Sequence, residues 1–102
     1  MRQQLSEGIL ALDEGIETRP SRFGGQGDAF WIGRRELAHF HPGNELDLRL
    51  TKPVIRELKA ELEADPRVSW RASSDWVEVR FSRKSHLERV LELVARALAA
   101  NR

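Results

Sequence analysis

The stretch AHFHPGNELDLRL, residues 38 to 50, limits the possible folds more than any other part of the chain. Leu46, Leu48 and Leu50 alternate with Glu45, Asp47 and Arg49, the period-two pattern of a strand with one buried and one wetted face. Pro42-Gly43-Asn44 is a strong turn signal, so residues 36 to 50 read as a β-hairpin. The period of two makes the loop length decisive. A three-residue loop sets His41 opposite Glu45 and His39 opposite Asp47, with opposed side chains about 5 Å apart. These four residues then share one face, and Ala38, Phe40, Leu46 and Leu48 take the other. A four-residue loop pairs His39 with Leu46 and dissolves the cluster.

Two imidazoles with one or two carboxylates are a workable donor set for zinc, iron or manganese. On that reading the chain is a metal-dependent enzyme, with His39, His41 and Asp47 as ligands and Glu45 as ligand or base. The plainer reading is the solvated side of a hairpin, where exposed His–carboxylate pairs contribute little. A third makes His39 or His41 a general acid or base, although no nucleophile signature accompanies them.

Around the hairpin the pattern alternates between helix and strand. Leu5, Ile9, Leu12 and Ile16 have helical spacing and predict a helix over about residues 2 to 13, with Gly15 as terminator. IETRP reads as an edge strand because it ends at Pro20, FGGQGD as a turn, and DAFWIG as a further strand. Thr51 is placed to cap a helix over about 53 to 64, which Asp65-Pro66 stops. RVSW and WVEVRF follow as strands, with Val77, Val79 and Phe81 facing inward. Ser85 and Glu88 have capping-box spacing before a helix whose stripe is Leu87, Val90, Leu91, Val94 and Leu98. The expected fold is a single α+β domain spanning 1–102: one antiparallel sheet, three helices mainly on one face, in the order α-β-β-β-β-α-β-β-α.

Composition removes several functions. With no cysteine there are no disulfides, thiolate metal sites or thiol nucleophiles. A net charge of +1 gives no field to steer the chain to DNA or an acidic membrane. No apolar run approaches the roughly 20 residues that cross a bilayer, and the polar start MRQQLSEGIL lacks a signal-peptide core, so a cytoplasmic location is expected. FGGQGD lacks the Gly-Lys-Ser/Thr of a phosphate loop. Trp31, Trp70 and Trp76 read either as core or as stacking platforms, with Arg71 and Arg80 near two of them in sequence. His86 reads as a surface residue.

RFGG, AFWIG, RELAHFHP at Arg35 to Pro42, LDLRL at Leu46 to Leu50 and SDWVEVRF together resemble the bacterial domain catalogued as the "luciferase family", over about residues 17 to 99. The name implies no luciferase reaction. The resemblance places the family pattern on Gly24, Gly25, His39, His41, Asp47, Arg49, Trp76 and Phe81, and it implies no catalytic assignment. The layout is also similar to the small YjbR/MmcQ-type α+β domains, for which DNA binding has been suggested. The expectation that follows is a binding or interaction module working through the polar face of the 36–50 hairpin. Its ligand contacts would come from Trp31, His39, Arg49, Trp76 and Arg80, and its partner would be a protein or small molecule. No cofactor is expected apart from the transition metal of the alternative reading. Nucleic acid is the third option, against which the charge counts, and an exposed sheet edge leaves a homodimer open.

Overall fold

The computed structural model describes residues 1–23 and 28–102, so the turn expected at FGGQGD and the positions Gly24 and Gly25 lie outside the described residues. Six strands form one antiparallel sheet: β1 (Ile16–Pro20), β2 (Asp28–Ile32), β3 (Arg35–His41), β4 (Glu45–Arg49), β5 (Val68–Trp70) and β6 (Trp76–Arg80). Their order across the sheet is β1-β2-β3-β4-β6-β5. The expected α+β class and strand count are therefore found, and IETRP is an edge strand.

The register follows from the central turn. Gly43 takes a positive φ of 78°, which a residue without Cβ adopts at little cost, and the Glu45 N–H donates to its carbonyl. The three-residue loop that results pairs His41 with Glu45, Phe40 with Leu46, His39 with Asp47 and Ala38 with Leu48. On the next strand Leu46 meets Val79 and Leu48 meets Val77. Phe30, Ala38, Phe40, Leu46, Leu48, Val77 and Val79 thus line one side and are buried against the helices.

That side is covered mainly by α4 (Lys84–Asn101), which lies across β3 and β4 and buries Val90, Leu93, Val94, Ala97 and Leu98. The shorter α1 (Arg2–Leu10) buries Leu5 and Ile9 and packs on α4. At Gly8 the approach is so close that a Cβ would stand 2.8 Å from a methyl carbon of Leu91. The helix stops earlier than its apolar spacing suggests, because the Asp13 side chain captures the Gly15 N–H (2.8 Å) and leaves Leu12 exposed.

Three local expectations are corrected. Among the described residues four helices are found instead of three: the second segment tightens at Leu58 (φ −95°, ψ 8°) and divides into α2 (Lys52–Glu57) and α3 (Lys59–Glu63). Bonds from the Leu58 N–H to the Val54 carbonyl and from Leu62 to Leu58 carry the helical path through the division. Thr51 does not cap α2 with its side chain, because its positive φ of 78° carries it out of cap geometry. Asp75, from the turn between β5 and β6, does so instead. Its backbone carbonyl accepts from the Thr51 N–H and its carboxylate from the Lys52 N–H, each at 2.9 Å. Nor do Ser85 and Glu88 form a capping box, since α4 already begins at Lys84. His86 Nδ1 accepts from the Ser82 N–H at 3.0 Å and satisfies a backbone donor there.

At its far end α4 is tied to the sheet through buried Asn101, whose Nδ2 donates to the carbonyls of Arg49 (2.9 Å) and Ala97 (2.7 Å). Asp75→Ala is expected to remove the carboxylate cap of α2 and cost about 1 kcal/mol. Urea unfolding should then show a lower midpoint with an unchanged slope.

Candidate functional site

Among the described residues no helix lies on the sheet's other side, and here His39, His41, Glu45, Asp47 and Arg49 of the central hairpin collect. Four side chains form one chain of contacts. Glu36 Oε2 lies 3.0 Å from His39 Nδ1. His39 Nε2 lies 3.2 Å from Asp47 Oδ2, and His41 Nε2 lies 2.7 Å from that same oxygen. The other Glu36 oxygen accepts the Arg22 backbone N–H at 2.8 Å. The two imidazoles stack with centroids 5.2 Å apart.

Glu36 belongs to this group only because β3 is irregular. Phe30 pairs with Ala38 and Trp31 with Glu36, which leaves Leu37 as an extra residue opposite the join. This is a β-bulge, and it shifts the side-chain alternation by one position. Leu37 and Ala38 both point into the core, and Glu36 emerges on the same face as His39 although the two are three residues apart. A regular strand would send Glu36 to the core with Ala38 and Phe40.

Aromatic side chains surround the group. Trp76 is directly opposite Arg49 in the register, and its ring centroid is 5.3 Å from that of His39. Phe23 meets Trp76 edge-on at 5.4 Å and His39 at 5.9 Å, yet remains 63% exposed. With Pro42 these residues border a cavity of about 480 Å³ whose polar lining is His39, His41 and Asp47.

The electrostatics follow from burial. Glu36 is 2% exposed and His39 9%, a setting in which an unpaired charge is strongly disfavoured. Burial by itself pushes the His39 pKa down, but hydrogen bonds to Asp47 and Glu36, with the charges of both carboxylates, outweigh it and leave the pKa raised above 6.5. Glu45 is also raised, first by burial and then by the neighbouring Glu78 and Asp47 carboxylates.

The residues expected at the site do not all converge. His39, His41, Asp47 and Trp76 line the cavity. Arg49 flanks it, with its guanidinium 6.0 Å from the Trp76 ring centre. Trp31 does not line it: the ring lies on β2 beneath the guanidiniums of Arg19 (5.3 Å) and Arg22 (5.6 Å). Arg80 is turned aside to the Pro66 carbonyl, 3.1 Å away. Glu45 faces His41 in the register, but among the described residues the potential metal donors within 4.8 Å of one another come from His39, His41 and Asp47 alone. Glu36 and Phe23 are the contributors that the sequence reading lacked. Phe23 carried one signal, as a lone aromatic residue in a polar, glycine-rich stretch.

Fold and site together define a small α+β domain with a helix-covered sheet whose open face holds a polar cluster inside an aromatic rim. The family model of the Luciferase domain matches residues 34–97, more than half of the chain, and the chain belongs to that family. The matched segment contains Glu36, His39, His41, Asp47 and Trp76. No curated protein and no solved structure matches the chain, and the likeness in layout to YjbR/MmcQ-type domains gains no support from these comparisons.

Stability contributed by protonated His39 is fully present below the unfolded value near 6.5 and is lost as pH rises through the higher folded value. In chelator-treated protein the His39 ring nitrogens should titrate by NMR with a midpoint above 6.5, and Asp47→Asn should lower it. A parent midpoint at or below 6.5 contradicts the arrangement.

Proposed function

We propose that the domain is a binding module that takes a small organic ligand with a flat apolar part into the cavity on the open face of the sheet. The observation that carries this reading is the cavity itself: about 480 Å³, walled by Phe23, Pro42 and Trp76, with three polar side chains converging on it. Small-ligand sites have this size and make-up, apolar surface for affinity and a few fixed polar groups for orientation. Phe23 and Trp76 present ring faces and edges to a planar guest. His41, the more exposed imidazole at 40%, is the polar group nearest to solvent and meets the guest's oxygen or nitrogen.

Nucleic acid fits less well. The open face carries Glu36, Glu45, Asp47 and Glu78, which disfavours a phosphate backbone, and the net charge of +1 offers no compensating field. Among the described residues no helix is long and apolar enough to cross a membrane.

The test is a set of proton–nitrogen correlation spectra of the chelator-treated protein with millimolar indole, benzoate and phenol as probes. Shifts are expected to concentrate at His39, His41, Asp47 and the Trp76 indole for at least one probe, and to vanish in Trp76→Ala. Shifts that are absent for all three, scattered over the surface, or retained in the variant overturn the reading.

A further inference from the structure

We propose that His39, His41 and Asp47 bind one divalent first-row transition-metal ion and that Glu36 is the positioning residue that holds His39 toward it. This goes beyond the ligand reading and stands whether or not an organic molecule enters the cavity.

Three observations converge. The first is donor geometry. His39 Nε2, His41 Nε2 and Asp47 Oδ2 come from two adjacent strands in fixed register, and each nitrogen is already 3.2 or 2.7 Å from the carboxylate oxygen. Donors around one ion, with bonds of about 2.0–2.2 Å, stand roughly 2.8–3.6 Å apart, from octahedral to tetrahedral angles. The three donor atoms lie within 4.8 Å of one another, so movements of an ångström or so complete the set.

The second is the far side of His39. Metal-bound imidazoles generally donate their other N–H to a carboxylate or carbonyl, which fixes the tautomer and aims the ligating nitrogen. Glu36 Oε2 is 3.0 Å from His39 Nδ1 and does this, while its other oxygen is held by the Arg22 N–H. Burying a carboxylate is expensive, and a bulge is needed to bring this one to the open face. A merely solvated hairpin face calls for neither.

The third is an unmet acceptor. Among the described residues buried Asp47 Oδ1 has no hydrogen-bond partner, although unpartnered buried oxygens are rare and costly. A cation beside Asp47 compensates it.

The donor types select the ion. Imidazole with one carboxylate suits zinc or ferrous iron over magnesium and calcium, which prefer all-oxygen shells. Three protein donors leave at least one coordination position open, as in sites where the ion meets a substrate. The cavity between Phe23 and Trp76 adjoins the three donors.

The experiment uses the full chain, purified without a polyhistidine tag, stripped with chelator, and titrated by calorimetry with Zn²⁺ and by visible absorption with Co²⁺. One ion per chain is expected, with no comparable uptake of Mg²⁺. Asp47→Asn and His41→Ala should weaken Zn²⁺ binding at least 100-fold; His41 is exposed enough that its variant should keep the parent's spectrum of backbone amides. Glu36→Gln should keep one-to-one binding but weaken it by about 10–100-fold and shift the Co²⁺ bands, a spectroscopic change that altered folding alone does not produce. Uptake below one ion, or equal affinity in folded Asp47→Asn and His41→Ala, overturns the site; unchanged affinity and Co²⁺ bands in Glu36→Gln overturn the role of Glu36. The titrations contain no organic probe and the probe spectra contain no metal, so either reading can fail alone.

Discussion

The bulge at Leu37 governs how the open face is built. An antiparallel strand alternates its side chains strictly, and residues three apart point to opposite sides. One extra residue cancels that rule locally and puts Glu36 beside His39. Without it, the Glu36 carboxylate would enter a core of Phe30, Phe40 and Leu46, where nothing could hydrogen-bond it. The same carboxylate accepts the Arg22 N–H and so tethers the chain leading to Phe23 over the sheet. One local irregularity therefore determines both a floor contact and a wall of the cavity.

The strand carrying Asp47 is braced from several sides. β4 lies between β3 and β6 in the interior of the sheet, and its apolar residues Leu46 and Leu48 are fully buried. At its last residue Asn101 holds the Arg49 carbonyl from α4, and just beyond it Asp75 holds the backbone of Thr51 and Lys52. Thr51 keeps a positive φ that a β-branched residue rarely tolerates, a strain the surrounding contacts must offset. The contrast with the rim is physical: Phe23 is mostly solvated, whereas Glu36 and His39 are shut in.

Much of this was legible in the sequence. The Pro-Gly-Asn turn and the leucine alternation narrowed the register to a three- or a four-residue loop, and the structure has the first, which brings His39, His41 and Asp47 together. The six strands and the long final helix followed from periodicity. What escaped has identifiable causes. A bulge leaves the residue types unchanged and breaks the counting rule, so Glu36 was assigned to no site. Capping groups that arrive from distant segments, Asp75 for α2, or from a local side chain competing with the box, His86 for α4, lie outside any spacing rule. Trp31 and Arg80 share the open face by alternation, but position along and across the strands separates them from the cavity, and period alone carries no such information.

Glu36, His39, His41 and Asp47 all fall within a single hairpin, β3 to β4, whereas Phe23 and Trp76 come from outside it. Hairpins close in about 1–10 μs, and contacts between residues distant in sequence generally form more slowly because larger loops must be closed first. Folding from local contacts outward then gathers His39, His41 and Asp47 while water still surrounds them, and Glu36 joins them as β2 pairs with β3. The aromatic rim closes over a cluster whose members have already found one another, and the desolvation of Glu36 and His39 falls late, when their partners are in place.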